Sequence, residues 1–282
     1  MIRTPLLTIA LLAVASTGLA KPSSQPASWN APMDPFRIVD HVYYVGTAGL
    51  GSYLFETKDG LILLDGAVPE AAPAIEAHIG QLGFKLSDVK ILLNTHAHFD
   101  HSGGLAQLKK DTGAKLYAMD GDVSALEGGF YLGSESDASA KAPPVKVDHV
   151  LHDGDLVSLG GVALKANLTP GHSRGCTSYS TTVHEASKAY ELLVFCSATV
   201  AANRIKPPLQ YPGIVEDYRK TFARVKTMHV DIFLAPHAEF FDLAGKRAKV
   251  KPGAPNPFIV PGELKPFIEK LEVDFEKQLA SP

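Results

Sequence analysis

At 282 residues the chain has room for one large domain or two small ones, with ample material for a core. Its 27 Lys and Arg against 30 Asp and Glu leave a formal net charge of −3, and no basic run stands out, which excludes an electrostatic case for nucleic-acid binding. Beyond the first residues, no stretch is long and apolar enough to span a membrane.

In chain order, residues 1–20 read as a secretory signal. Met1-Ile2-Arg3 is a charged start, residues 5–15 form a short apolar run, and Gly18-Leu19-Ala20 offers small residues for cleavage. No Cys lies near that point, so a lipid-anchored form is not indicated, and the mature protein is expected to be soluble and exported. Residues 21–34 carry Ser, Pro and Lys and read as a flexible leader, with one domain over 35–282. Short strands are expected at 37–39, 42–45, 52–56 and 61–65, separated by Asp-His, Gly-rich and Asp-Gly punctuation. A helix is expected over 69–82, then a buried strand at 88–94.

The segment that follows that strand carries the chemistry. In Thr95-His96-Ala97-His98-Phe99-Asp100-His101, three imidazoles and a carboxylate fall within six positions. The carboxyl end of a core strand is where ligand sites of α/β sheets collect. In extended backbone His96 and His98 point to one side, because side chains repeat with period two. Asp100 and His101 fall where the chain turns into a helix at 104–110, so they reach a second point a few ångströms away. One ion cannot easily take all four, but two adjacent ions can, and the excess of imidazole favours zinc.

The region 115–160 reads as short strands with a polar loop at 133–146, which either borders the site or is a plain surface excursion. Strands over 147–196 precede a helix at 215–228, a strand at 230–235 and a helix at 261–278. Two more imidazoles end β-rich runs. His172 stands on a Thr169-Pro170-Gly171 turn, which constrains it as a ligand needs, and His237 follows Leu234-Ala235-Pro236. The other six histidines, His41, His78, His149, His152, His184 and His229, lack such a setting and are expected to be structural or superficial. Cys176 and Cys196 are the only cysteines, in strand-like segments 175–182 and 190–196. If those strands pair, an exported chain joins them in a disulfide; otherwise they are two buried thiols.

The pattern His96-x-His98-x-Asp100-His101 after a core strand resembles the metallo-β-lactamase superfamily. That resemblance implies an α/β fold, the four-layer αβ/βα sandwich, with the site at the edge between two sheets. Relatives such as glyoxalase II and lactonases place a bridging Asp after the strand at 192–195, where this chain has Cys196-Ser197-Ala198-Thr199. Flavo-diiron relatives need Glu at the position of His98. With Ser197 aligned to the cysteine ligand of the first β-lactamase subclass, the chain is most similar to the third subclass of class B. A Trp that some members carry after the Cys-Thr pair is Ser178-Tyr179 here, and their C-terminal disulfide is impossible.

The resemblance then implies two zinc ions, one held by His96, His98 and His172 and one by Asp100, His101 and His237. It implies a small-molecule β-lactam substrate (penicillin, cephalosporin or carbapenem), hydrolysed by a bridging hydroxide that Asp100 orients. Ser197 and Thr199 would receive the substrate carboxylate, and Asp65 and Thr95 would orient imidazoles. The expected product is a periplasmic monomer. The alternatives are another zinc hydrolase on the same scaffold, a lactonase or thioester hydrolase, and a non-catalytic zinc-binding protein.

Overall fold

The computed structural model describes residues 25–281, so the signal expected at 1–20 lies outside the described residues. The first sheet has seven strands in chain order: β1 (Phe36–Val39), β2 (Val42–Tyr44), β3 (Tyr53–Thr57), β4 (Gly60–Leu64), β5 (Val89–Leu93), β6 (Lys115–Met119) and β7 (His149–Leu151). The first four form an antiparallel meander. The last three add in parallel, which requires crossovers over the sheet face. Helices α1 (Ala72–Gln81), α2 (Phe99–Ser102), α3 (Leu105–Thr112) and α4 (Val123–Gly128) lie in those crossovers.

The second sheet is ordered β12-β11-β10-β9-β8. Its strands are β8 (Leu156–Leu159), β9 (Val162–Leu168), β10 (Thr177–Glu185), β11 (Lys188–Val194) and β12 (Ile232–Leu234). β8 to β11 run antiparallel, and β12 pairs parallel to β11 after the crossover helix α5 (Ile214–Val225). The short α6 (Leu243–Lys249) and the C-terminal α7 (Leu264–Ala280) complete the chain.

The side chains of β4 show how the layers stack. Leu61 and Leu63 join Ile75, Ile79, Leu105 and Leu108 in the core under α1 and α3. Ile62 and Leu64 point the other way, into the core shared with Tyr179, Leu192, Phe222 and Phe275. A strand buried on both faces reads as an unbroken apolar run, as parallel strands do. Each such Leu or Ile stabilises the fold by roughly 1.5–3 kcal/mol. The order helix, sheet, sheet, helix is the expected αβ/βα sandwich.

Three local expectations need correction. The 115–160 region contains a helix, α4, as well as strands. α6 follows His237 where no helix was anticipated; Asp242 accepts the Gly245 N–H at its start. Over its described part, the segment expected to be a flexible leader is laid against the domain. Ala27–Trp29 is a 3-10 turn, and Ala48 N–H donates to the Ala31 carbonyl at 3.0 Å.

Candidate metal centre

Five strands stop at one edge where the sheets meet. Asp65 follows β4, the segment 95–101 follows β5, 169–172 follows β9, 196–199 follows β11, and His237 lies just beyond β12. Polar bonds tie the two sheets there. Thr177 N–H donates to the Thr95 carbonyl at 2.8 Å, and the Tyr53 hydroxyl donates to the Ala235 carbonyl at 2.6 Å.

The six residues expected as ligands are brought together in two trios. His96, His98 and His172 each offer a ligand atom within 4.8 Å of the others, and so do Asp100, His101 and His237. The ring centroids of the first trio are 4.6–4.7 Å apart. In the second, the His101 and His237 Nε2 atoms are 3.2 Å apart and reach Asp100 Oδ2 at 3.2 and 3.5 Å. His96 and His101 centroids are 4.4 Å apart, so the trios adjoin. The division follows the change of backbone at His98: His96 and His98 precede α2, while Asp100 and His101 lie within it.

Neighbouring groups orient the first trio. Asp65 is fully buried and accepts from the Thr95 N–H and the Thr95 hydroxyl, each at 2.7 Å, and from Asn94 Nδ2 at 2.9 Å. Because the Thr95 hydroxyl spends its proton on Asp65, it can only accept from His96 Nδ1, 3.1 Å away. That fixes the tautomer and leaves His96 Nε2 as a lone pair, buried and without a protein partner. A carbonyl only accepts, so the Thr199 carbonyl, 2.7 Å from His172 Nδ1, fixes that ring in the same way. The role expected of Asp65 and Thr95 is thus built into the hydrogen bonding.

Burial is the largest influence on all five imidazoles, and in four of them it sets the direction. It holds His96 and His98 well below the usual histidine range, with neighbouring imidazoles adding to the shift. His172 is pushed down to about 4 by burial, and His237 to about 3 by burial and by His101. The neutral ring is the form that binds metal. In the second trio burial opposes charge, but His101 and Asp100 stabilise each other, raising the first and holding the second below the carboxylate range. Neutral imidazoles, one carboxylate and an unpaired buried Nε2 make a donor set that fits zinc. Cys176 and Cys196 lie close to His96, but they are joined as a disulfide, Cα–Cα 5.9 Å, which removes them as thiolate ligands.

Both trios open onto a cavity of about 450 Å³. His98, Asp100, His172 and His237 form its floor, and Trp29 and Phe99 form one wall. Tyr131 and the loop residues Ser134, Asp137 and Ser139 complete it, so the polar loop at 133–146 does border the site. Of the two hydroxyls expected to face substrate, Thr199 lines the cavity. Ser197 does not: it is buried, 2% exposed, and its hydroxyl accepts the Thr199 N–H at 3.2 Å.

Sequence reasoning missed Trp29, Tyr131 and Asp122. Trp29 lies 5.7 Å from the His237 ring and 6.0 Å from Phe99, centroid to centroid. A lone tryptophan in a polar stretch was the available signal. Tyr131 stacks on His98 at 4.2 Å and donates to Asn203 Oδ1 at 2.9 Å, and Asn203 in turn donates to the His172 carbonyl. Nothing in its surroundings along the chain marks it.

Residues 52–186 match the family model of the metallo-β-lactamase superfamily. A hydroxyacylglutathione hydrolase of Rhodopseudomonas palustris (strain BisB5) is 35% identical over 111 residues, 39% of this chain, and the chain spans 35% of that relative's length. Solved structures are matched far more completely. BJP-1, a subclass B3 metallo-β-lactamase of Bradyrhizobium japonicum, is 50% identical with a TM-score of 0.88, covering 90% of this chain and 96% of that one. FEZ-1, a metallo-β-lactamase from Legionella gormanii, is 42% identical with a TM-score of 0.85, covering 89% and 97%. LRA-12, a class B3 di-zinc metallo-β-lactamase from an Alaskan soil metagenome, is 35% identical with a TM-score of 0.84, covering 92% and 99%.

Proposed function

This chain belongs to the metallo-β-lactamase superfamily, and on that premise we propose that it is a zinc-dependent hydrolase of β-lactam antibiotics, of the subclass B3 kind. The observation that carries the reading is the pair of adjoining trios on the floor of one cavity, in a chain that matches a B3 enzyme over 96% of that enzyme's length. His96, His98 and His172 would hold one zinc, and Asp100, His101 and His237 the other. When bound, such ions act as Lewis acids and lower the pKa of water enough for hydrolysis near neutral pH.

The chain's own residues do the rest. Asp65 and Thr95 hold His96, and the Thr199 carbonyl holds His172, so neither ring has to reorient when substrate arrives. The Asp100 carboxylate lies on the cavity floor between His101 and His237 and can accept a hydrogen bond from the attacking water, orienting it. The Thr199 hydroxyl, on the cavity lining, would donate to a substrate carboxylate, and Trp29 and Phe99 would offer an apolar wall. Tyr131, flat against His98, shields that ring from bulk water. No serine nucleophile is needed. Ser173, beside His172, is buried and donates its hydroxyl to Asp122. The signal-like residues 1–20 support a periplasmic location, and among the described residues no helix is long and apolar enough to cross a membrane.

Thioester hydrolysis is the second reading, favoured by the 111-residue likeness to hydroxyacylglutathione hydrolase. Against it stands the segment after β11, where Cys196 is in a disulfide and 196–199 holds no carboxylate to bridge two ions. The test is hydrolysis of a β-lactam panel by zinc-loaded protein, with and without chelator, beside a homoserine lactone and a thioester. The reading expects chelator-sensitive β-lactam turnover. Turnover confined to the lactone or the thioester would keep the metal centre and sink the β-lactamase assignment.

A further inference from the structure

Asp122 belongs to neither trio, and the function proposed above makes no use of it. Its side chain, 2% exposed, lies between the two loops that carry the three imidazoles. Oδ2 accepts the Ala97 N–H at 3.0 Å and the Ser173 hydroxyl at 2.7 Å, and Oδ1 accepts the Gly175 N–H at 2.7 Å. Ala97 stands between His96 and His98, and Ser173 follows His172. One carboxylate therefore grips both loops, each at a residue adjacent to a ligand.

The close approach is built in on both sides. A Cβ on Gly175 would come within 2.5 Å of the Asp122 backbone nitrogen, and one on Gly121 within 2.7 Å of the Arg174 carbonyl oxygen. Neither loop can carry a side chain at its crossing point without moving the other. Burying a carboxylate is costly unless its oxygens are well served by donors, and here three donors serve two oxygens. An amide could not replace it. Asn has one accepting oxygen, so its NH₂ would face either the Gly175 N–H or the Ala97 and Ser173 donors.

We propose that Asp122 is a positioning residue that sets the spacing of His172 from His96 and His98, and thereby the affinity of that trio for a divalent metal. This rests on reading the trio as metal ligands. The second trio has its own anchors. The Gly66 N–H donates to the His101 carbonyl at 2.8 Å, and His237 follows β12. Asp122 is therefore expected to act on one metal equivalent and not on both.

The experiment is zinc binding by competition with a chromophoric chelator, for wild type, Asp122→Asn and Ser173→Ala. It is combined with the visible spectrum of each cobalt(II)-loaded protein and with a thermal melt to establish folding. Wild type is expected to bind two equivalents. In Asp122→Asn one equivalent should weaken about 10- to 100-fold, the usual loss when a group supporting a ligand is removed, with an altered cobalt spectrum and the other equivalent kept. Ser173→Ala should weaken the same equivalent by less, since two of the three bonds remain. Folded Asp122→Asn that binds both equivalents as wild type does, or loses both equally, would overturn the inference. Should Asp122→Asn fail to fold, Ser173→Ala decides: selective weakening sustains the inference and wild-type affinity ends it. Wild type that takes up no zinc would instead sink the metal-centre reading itself.

Discussion

His96, His98, His172 and His237 lie in a setting that keeps them neutral, with one proton and one lone pair each, and this has a consequence for stability. Burial keeps them neutral, His172 down to about pH 4 and His237 to about pH 3. In the unfolded chain the same rings take protons near pH 6.5. As pH falls below that value the unfolded state binds more protons than the folded one, so these four groups lose stability on acidification. Asp65 and His101 act in the opposite sense. Asp65, raised by burial to about 6, and His101, raised by Asp100 against the effect of burial, hold protons in the folded state that the unfolded chain has released. What they contribute is lost as pH rises through their folded values. Asp122 and Glu76, also raised by burial, act in that opposite sense too. The unfolded values of the four imidazoles fall inside the interval and dominate it, so the urea midpoint of chelator-treated protein should rise between about pH 5 and pH 7. The rise should shrink in His172→Gln. A midpoint that fell over the interval would mean that these rings are not neutral in the folded state. The sequence exposes four of the six proposed ligands in one run because local spacing alone puts them on two points. Asp122 and Tyr131 are invisible there, because their partners, Ser173 and Asn203, are 51 and 72 residues away and meet them only in the folded chain.

Strands and long helices of this protein are legible because they are buried on one or both faces over several residues. β4 appears as an unbroken apolar run and β5 as one interrupted only by the exposed Lys90, and α5 and α7 are long enough to show a helical period. α4 and α6, at six and seven residues, end before any period is established, and each contains a glycine. The segment before β1 fails for a different reason. Its polar composition reads as solvated leader, yet Trp29 pins it to the wall of the cavity between Phe99 and His237. Trp29→Ala should therefore act on the site as well as on the fold. Each aromatic pair contributes about 0.5–1.5 kcal/mol beyond burial, so losing one that also contacts substrate should raise KM about two- to tenfold. Since Trp29 touches no group that moves a proton, kcat should change little. Steady-state kinetics on a β-lactam checks this, and an unchanged KM would show that the segment merely covers the edge of the domain.

At the scale of the whole molecule, the two sheets contribute unequally to the proposed centre, and this makes metal a structural tie. His96, His98, Asp100 and His101 follow β5 of the first sheet, while His172 and His237 come from β9 and β12 of the second. Each trio draws on both sheets, so each bound ion would cross-link them. The disulfide cannot stand in for that link. Cys176 and Cys196 flank β10 and β11, which are neighbours in the same sheet. What else joins the sheets at this edge is a few hydrogen bonds, such as Thr177 to Thr95 and Tyr53 to Ala235. A site held at 100 times its Kd stabilises the folded state by about 2.7 kcal/mol, so chelation should lower Tm by roughly 5 °C or more. The loss should also be local. Hydrogen exchange with and without chelator should show the segments 95–101, 169–175 and 237–241 opening first. The core of β4 and β5 should keep its protection, because those strands are buried by both cores regardless of the metal. Uniform loss of protection across both sheets would mean that the metal stabilises the fold without joining its halves. An unchanged Tm would mean that the six proposed ligands, brought together by the fold alone, bind zinc too weakly to matter to it.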